Sequence, residues 1–180
     1  MNTLKSFLYQ RSSLMVLSFL TKHMKKSWTL HDISDACLLS DEQSQEVLND
    51  FCKREIISCK IENEIRKYEL KEELLYVQAF RMFEDAVELS VLVATIKERC
   101  RKIVLLDKTK DDDGRYDEAV YLFIEMDQDN HRFIIDAISK ADFDRPIRPI
   151  VLSTHEILKL TIDNPTYIYQ LNSGIVLWSR

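Results

Sequence analysis

Apolar side chains in the N-terminal part of the chain recur with the spacing of helices. Between residues 12 and 23 they return every three or four positions, which predicts a first helix with one buried face. Thr29 can cap a second, shorter helix, with Asp32 in its first turn. Ser40 and Gln43 have the spacing of a capping box and predict the start of a third helix. The buried face of this third helix is expected to contain Val47, Leu48, Phe51 and Cys52.

The pattern of apolar and polar positions changes after the third helix. Residues 56–61 and 65–70 are strand-like segments on either side of the short polar segment 62–64, which predicts a hairpin. Three helices followed by a hairpin have the element order of a winged helix. We therefore assign residues 1–72 to a winged helix-turn-helix domain.

The middle of the chain predicts one long helix. Residues 74–101 contain no glycine or proline, and a helix of about 25 residues would be on the order of 38 Å long at about 1.5 Å per residue. An apolar stripe of this length is rarely left in water. We expect this connecting helix, assigned to residues 73–101, to pack between domains, to form a homodimer, or to do both. The stripe consists of Phe80, Phe83, Val87, Val91 and Ala94.

Strands and helices alternate in the C-terminal part, residues 102–180. Two continuous apolar runs, residues 102–106 and 119–126, are typical of buried strands. Further strands are expected at residues 147–152 and 174–178. This alternation predicts a mixed α/β domain, and the whole chain is expected to belong to the α+β class. Helices are expected at residues 133–141, after Ser153 and after Pro165.

Composition and charge narrow the class of protein. The 180 residues are 46% hydrophobic and 31% charged, which is typical of a globular protein. The net charge of -5 argues against extended contact with phosphates, because nucleic-acid binders usually carry a basic excess. With only two glycines, the chain cannot build a Walker loop or a dinucleotide fingerprint. No segment has the pattern of a membrane span or a signal peptide, so we expect a cytoplasmic protein with no membrane contact.

Metal-binding patterns are missing from the sequence. The four cysteines show neither a CxxC pair nor zinc-ligand spacing, so we expect buried, reduced thiols, no metal and no cofactor. Asp127 and Asp129 form a carboxylate pair, but they lie beyond the strand that would have to carry a catalytic pair. The acidic run before Gly114 resembles a calcium loop. That alignment would place Thr109 and Val120 where acidic ligands are required.

Two segments of the N-terminal domain carry a family resemblance, "LHDISDACLLSDEQSQEVLNDFCKREII" and "RKYELK". Through them, residues 10–72 resemble the winged helix-turn-helix of bacterial and archaeal transcriptional regulators. In that family the third helix enters the major groove of DNA and the wing touches phosphate. The candidate DNA-binding residues that the resemblance implies are Gln43, Gln45 and Asn49 for bases, and Lys53, Arg66 and Lys67 for phosphates.

The third helix also carries acidic side chains that oppose DNA binding. Four carboxylates that face a phosphate-lined groove would repel it. Residues 1–72 contain eleven Lys or Arg and eleven Asp or Glu residues, so the domain is neutral overall. A winged helix that contacts another protein instead of DNA is therefore the alternative. The four carboxylates are Asp41, Glu42, Glu46 and Asp50.

Four C-terminal segments carry a second resemblance, "KIVLLD", "EAVYLFIEM", "RPIVLSTHEI" and "NPTYIYQLNSGIVLW". Residues 102–178 resemble the minimal nucleotidyltransferase domain of the DNA polymerase beta superfamily, of the kind found in small antitoxin-type proteins. In active members of that family a strand ends in Gly-Ser, an Asp-x-Asp pair follows, and a third carboxylate lies on the next strand. These carboxylates hold Mg²⁺ against the nucleotide triphosphate.

The chain departs from that family's pattern at its catalytic positions. Asp107 and Lys108 stand in place of Gly-Ser. Ala119 and Tyr121 stand in place of the metal-binding pair, and Arg148 lies near the place of the third carboxylate. A methyl group and a phenol cannot hold magnesium. The resemblance therefore implies a nucleotidyltransferase-like scaffold without activity, and we expect that the protein is not an enzyme.

Together the patterns predict a DNA-associated transcriptional regulator that forms a homodimer and carries a catalytically inactive nucleotidyltransferase-like domain. The alternative is an interaction protein, or an antitoxin-like partner of another protein, that does not bind DNA. An enzyme with a relocated active site is a third hypothesis.

Overall fold

The computed structural model of the chain describes residues 10–107, 118–126 and 130–180. The chain divides into two compact units, Met1–Arg81 and Met82–Arg180. Several positions discussed from the sequence lie outside the described residues: Lys108, the acidic run 111–114, and the pair Asp127 and Asp129.

The N-terminal unit has the topology of a winged helix, as the sequence predicted. Its three strands form one antiparallel sheet in the order β1-β3-β2. The first strand was not expected from the sequence, because a run of three residues is too short to show a period. The elements are α1 (Arg11–Lys22), β1 (Ser27–Thr29), α2 (Leu30–Cys37), α3 (Asp41–Lys53), β2 (Ile57–Glu62) and β3 (Ile65–Leu70).

Both predicted helix caps of this unit are confirmed. Thr29 and Asp32 form a reciprocal capping box at the start of α2, and Ser40 and Gln43 form another at the start of α3. These caps satisfy backbone N–H groups that have no partner inside the helix. The two residues of the hairpin turn, 63 and 64, both have positive φ angles, which matches the twist of the flanking strands.

The core of the N-terminal unit lies between the three helices and the sheet. Leu17 and Leu20 from α1 are buried with Ile33 from α2. The predicted inner face of α3 is confirmed for Val47, Leu48 and Phe51, whereas Cys52 is only partly buried. Tyr68 on β3 is the largest fully buried side chain of this sheet.

The C-terminal unit is a mixed four-stranded sheet in the order β6-β5-β4-β7. Strand β4 is antiparallel to both of its neighbours, and β5 is parallel to β6. The chain is therefore of the α+β class, as predicted. The elements are α4 (Leu75–Glu88, which spans the division between the units), α5 (Ser90–Ile96), a 3₁₀ turn (Lys97–Arg99), β4 (Cys100–Leu106), β5 (Val120–Met126), α6 (His131–Ser139), β6 (Ile147–Ser153), α7 (Thr154–Asp163), α8 (Pro165–Asn172) and β7 (Ile175–Ser179).

Apolar side chains are buried on both faces of this sheet. Ile103 and Ile124 belong to a cluster with helix residues such as Leu92, whereas Val104 and Phe123 belong to a second cluster with Leu171. Neighbouring strand residues point to opposite faces, so two clusters require helices on both sides. This arrangement explains why β4 and β5 have continuous apolar sequences.

The predicted helix of about 25 residues in the middle of the chain is present in part, as two consecutive helices that end at Ile96. Helix α4 ends at Glu88, α5 runs from Ser90 to Ile96, and β4 has begun by Cys100. The N–H of Leu89 still donates to the carbonyl of Asp85 at 2.9 Å, so the interruption is a local one without a helix-breaking residue. The C-terminal end of the predicted helix is a strand because Cys100 pairs with Met126 in the sheet.

The predicted apolar stripe does not face the core. Phe83, Val87 and Val91 are 62%, 55% and 76% exposed, and Ala94 is exposed as well. Phe80, at the other end of the stripe, is partly buried. The face that packs into the C-terminal unit contains Met82, Asp85, Leu89, Leu92 and Ile96.

Candidate nucleic-acid interface

The third helix and the wing hold the six candidate DNA-binding residues. Helix α3 is amphipathic, with Ser44, Val47 and Leu48 buried and the opposite face polar. Its N-terminus is fixed by the capping box of Ser40 and Gln43. The fold therefore presents one polar face of α3 beside the hairpin, as a winged helix that reads DNA would.

The three candidate base readers differ in how free their side chains are. Gln43 accepts a hydrogen bond from the Ser40 backbone N–H at 3.2 Å through Oε1, so the cap occupies this oxygen. Gln45 donates from Nε2 to Asn49 Oδ1 at 3.0 Å and to Tyr68 Oη at 3.5 Å. Gln45 and Asn49 thus form a hydrogen-bonded pair of amides on α3. The second hydrogen bond of Gln45 connects this pair to the wing strand β3.

Two of the three candidate phosphate contacts are already paired with carboxylates. Lys67 Nζ lies 2.9 Å from Glu62 Oε2 across the wing, and Lys53 Nζ lies 3.6 Å from Asp50 Oδ1. Arg66 is exposed on β3 opposite Ile61, and it has no ion-pair partner among the residues that the structure describes. Arg66 is therefore the candidate cation with the most freedom to contact phosphate.

A shallow groove of about 460 Å³ joins α2, α3 and the wing. It brings together two predicted residues, Gln45 and Arg66, the carboxylate of Asp41, and His31, which the sequence analysis missed. The pairing of Thr29 with Lys67 places the start of α2 next to the wing. That pairing depends on β1, so no signal in the sequence pointed to His31.

The electrostatics of α3 oppose DNA, as the sequence indicated. Asp41, Glu42 and Glu46 are exposed, and Asp50 is partly buried. Hydrogen bonds to its own backbone amide and to Ser40 lower the pKa of Glu42, so this carboxylate stays charged near neutral pH. Acidic residues in the first turn stabilise the helix, but they place negative charge where a DNA backbone would approach.

Four of the five positions that the sequence analysis compared with a nucleotidyltransferase motif lie near one end of the central strands of the C-terminal sheet, and Lys108 lies outside the described residues. Leu106, which precedes Asp107, pairs with Tyr121 on β5, and Tyr121 pairs with Arg148 on β6. Ala119 and Tyr121 are both buried. The strand register places Tyr121 beside Arg148, and the side chains at positions 119 and 121 are a methyl group and a phenol.

The sequence also led to expectations about metal sites, membrane spans and thiols. Within residues 10–107, 118–126 and 130–180, no three His, Cys, Asp or Glu side chains are grouped to hold a metal ion. In the same ranges, none of the helices has the length and hydropathy needed to cross a membrane. The expectation of buried thiols holds for Cys37 and Cys100. Burial raises the pKa of the Cys37 thiol to about 11. It is wrong for Cys59, which lies exposed on the wing strand β2.

No family model and no curated protein matches this chain. Among solved structures, the chain is similar to MepR of Staphylococcus aureus, a transcription regulator of the multidrug efflux pump MepA, at 18% identity and a TM-score of 0.42, covering 53% of this chain and 72% of that one. It is similar to a MarR family transcriptional regulator from Silicibacter pomeroyi DSS-3 at 12% identity and a TM-score of 0.42, covering 52% and 68%. The third similarity, to the S. aureus MepR–DNA complex, has 17% identity and a TM-score of 0.40, covering 53% and 81%.

Proposed function

We propose that this chain is a DNA-associated regulator that works in the cytoplasm and contacts DNA through α3 and the wing. The observation that carries the proposal is the groove that joins Gln45 on α3 to the exposed Arg66 on β3. An unpaired arginine suits a phosphate, and a pair of side-chain amides suits base edges in the major groove. Gln45 and Asn49 supply those amides.

We propose that binding by a single copy is weak. Each phosphate contact contributes about 0.9 to the slope of binding against salt, and this face offers few free cations. The carboxylates of α3 oppose the few attractive contacts. Two copies acting on one duplex would double the contacts without doubling the cost of association. The regulator is therefore expected to act as a homodimer.

The exposed stripe on α4 and α5 is the surface proposed for that homodimer. Phe83, Val87 and Val91 follow one another at intervals of four residues on the outer side of the C-terminal unit. Apolar side chains at this spacing are neighbours on a helix surface and form a continuous stripe. A two-fold axis places identical stripes against each other, and no charge within these three residues opposes their contact.

We propose that the C-terminal unit keeps a nucleotidyltransferase-like scaffold without nucleotidyl transfer. The register that brings Tyr121 beside Arg148 supports the scaffold. The side chains at Ala119 and Tyr121 support the loss of catalysis, because neither can hold a divalent cation. In this proposal the unit serves association or sensing and not chemistry.

Fluorescence anisotropy with labelled duplexes of random and genomic upstream sequence, at low salt, tests DNA binding. Arg66→Ala is expected to weaken binding to all duplexes alike, and Gln45→Ala to reduce the preference for one sequence. Arg132→Ala removes the same charge from an exposed position of the C-terminal unit and serves as the matched control. Binding no stronger than that of a neutral control protein would remove the proposal.

The second candidate function is an interaction protein that does not bind DNA. The four carboxylates on α3 favour it, because a face with this charge suits a basic protein partner better than a phosphate backbone. The same anisotropy experiment separates the two functions. Absence of DNA binding together with intact self-association would leave the interaction protein as the better description.

A further inference from the structure

A second cleft lies in the C-terminal unit, between α6 and the start of β6. Its volume is about 400 Å³, within the range of about 300–1,000 Å³ that is usual for sites of small molecules. Seven of the nine side chains that line it are apolar, so its occupant must be apolar over most of its surface. The residues that matter for the argument are Ile135, Ile138, Phe143, Ile147 and Pro149, together with Arg145.

Arg145 is the single charged side chain in the lining, and its charge is already balanced. Its guanidinium forms an ion pair with Asp85 of α4, and the two side chains are only 10% and 7% exposed. A second anion in the cleft would give this buried pair a net negative charge. The cleft therefore disfavours a carboxylate or a phosphate.

The hydrogen-bonding capacity of Arg145 is not filled. A guanidinium has five N–H groups, and Nη2 is the one that donates to Asp85. Within the described part of the chain, the buried Nε–H has no hydrogen-bond partner. A buried donor without a partner is unfavourable, so an oxygen that reaches the guanidinium would gain a hydrogen bond. Ser139, the other polar residue of the lining, donates its hydroxyl to the Asp136 carbonyl at 2.8 Å.

We propose that this cleft binds a small neutral molecule that is mostly apolar and carries one hydrogen-bond-accepting oxygen. The aliphatic and aromatic walls bury its apolar part, and Arg145 donates to its oxygen. The ion pair with Asp85 holds the guanidinium in place and sets the preference for a neutral acceptor.

Three probes that share a benzene ring separate these features. Acetophenone has a ketone oxygen, ethylbenzene has no acceptor, and benzoate has a charged one. Titrated into the ¹⁵N-labelled full chain, acetophenone is expected to give saturable amide shifts in α6 and the first half of β6. Ethylbenzene should bind about fivefold more weakly, the effect of one hydrogen bond, and benzoate should also bind more weakly than acetophenone. Benzoate or ethylbenzene binding as tightly as acetophenone, or no saturable shift with any probe, would overturn the proposal.

Two variants locate the site. Ile135→Trp fills the cleft from a position that is 37% exposed, so the fold should tolerate it, and the Kd for acetophenone should rise by about tenfold or more. Leu158→Trp, on α7 and outside the cleft, is the matched control and should leave the Kd unchanged. The paired replacement Asp85→Leu with Arg145→Met removes the donor together with the ion pair, so the preference for acetophenone over ethylbenzene should disappear. Unchanged binding in a folded Ile135→Trp protein would show that the cleft is not the site.

Discussion

Asp85 on α4 and Arg145 before β6 form a buried ion pair between positions sixty residues apart in the sequence. The carboxylate lies on the face of α4 that packs into the C-terminal unit, between Met82 and Leu89. An ion pair in this position connects helix α4 to the segment that leads into β6, the edge strand that is parallel to β5. The pair also determines how much stability the unit loses when either of the two residues is replaced.

Replacing one partner of this pair should destabilise the C-terminal unit strongly. Asp85→Ala leaves the Arg145 charge buried and unpaired, and we expect the free energy of unfolding to fall by about 3–5 kcal/mol. Urea denaturation followed by circular dichroism measures this change. Asp136→Ala removes an exposed ion pair with Lys140 and should change stability by less than about 1 kcal/mol. A double replacement, Asp85→Leu with Arg145→Met, should recover most of the loss. A double variant as unstable as Asp85→Ala would contradict the ion-pair explanation.

The C-cap of α2 offers a stabilising substitution. Leu38 has a φ of 52° and is 90% exposed, so its side chain contributes little burial while its backbone is held in the left-handed region. Leu38→Gly is expected to raise the free energy of unfolding by about 1 kcal/mol, because glycine adopts this conformation without a Cβ clash. Leu158→Gly, in the exposed interior of α7, should instead lower it by about 1 kcal/mol. Thermal unfolding of the two variants measures the contrast, and a destabilised Leu38→Gly protein would contradict it.

Stability should depend on pH through the capping box of α2. Hydrogen bonds from Thr29 lower the pKa of Asp32 below its ordinary value of 3.8. A lowered folded-state pKa stabilises the protein above the unfolded-state pKa, and this contribution is lost as the pH falls through the folded-state pKa. Asp32→Asn should therefore be less stable than the wild type at pH 7, and the difference should shrink below about pH 4. Urea denaturation at the two pH values checks this, and a difference that does not change with pH would argue against it.

The exposed stripe predicts a specific effect on self-association. Val87→Asp places a charge at the centre of the apolar contact, so the dimer should dissociate at concentrations where the wild type is associated. Light scattering over a range of protein concentrations measures the mass. Leu158→Asp, at an exposed apolar position of α7, is the control and should leave the mass unchanged. A wild-type mass near that of one chain at every concentration would remove the proposed interface.

The C-terminal unit is expected to transfer no nucleotide. In the proposed nucleotidyltransferase-like scaffold, Ala119 and Tyr121 occupy the positions where metal-binding carboxylates would be required. Incubation with labelled nucleotides, Mg²⁺ or Mn²⁺, and candidate acceptors should give no labelled product. Turnover that a point substitution in this unit abolishes, for example Asp107→Ala, would contradict the proposal and favour an enzyme.

Features of the fold that depend on residues close together in the sequence were predicted better than features that depend on contacts between distant residues. The caps at Thr29 and Ser40 depend on residues three positions apart, and both are confirmed. Strand β1 has no local signal, because its three residues become a strand only by pairing with β3. The face of α4 that packs into the C-terminal unit was not identified from the sequence, because it contains Asp85, a charged residue whose buried partner the sequence does not reveal. That partner, Arg145, is visible only in the fold.

The candidate interface was predictable to a similar extent. The resemblance to winged-helix regulators named Gln45 and Arg66, and the fold places both in one groove. It could not indicate that Lys53 and Lys67 are paired with carboxylates, because those contacts depend on side-chain geometry. It also missed His31, which reaches the groove through the register of β1 with β3.

Because of that register, the outer part of the wing hairpin is attached to the rest of the sheet at one end only. Strand β1 supports β3 only from Lys67 to Glu69, so the hairpin beyond this point is a ribbon of two strands. Two-stranded ribbons accept a wider range of twist than broader sheets. Arg66 is the first residue of β3 beyond the part that pairs with β1. In the proposed contact with DNA, this freedom of twist lets Arg66 adjust to grooves of different width.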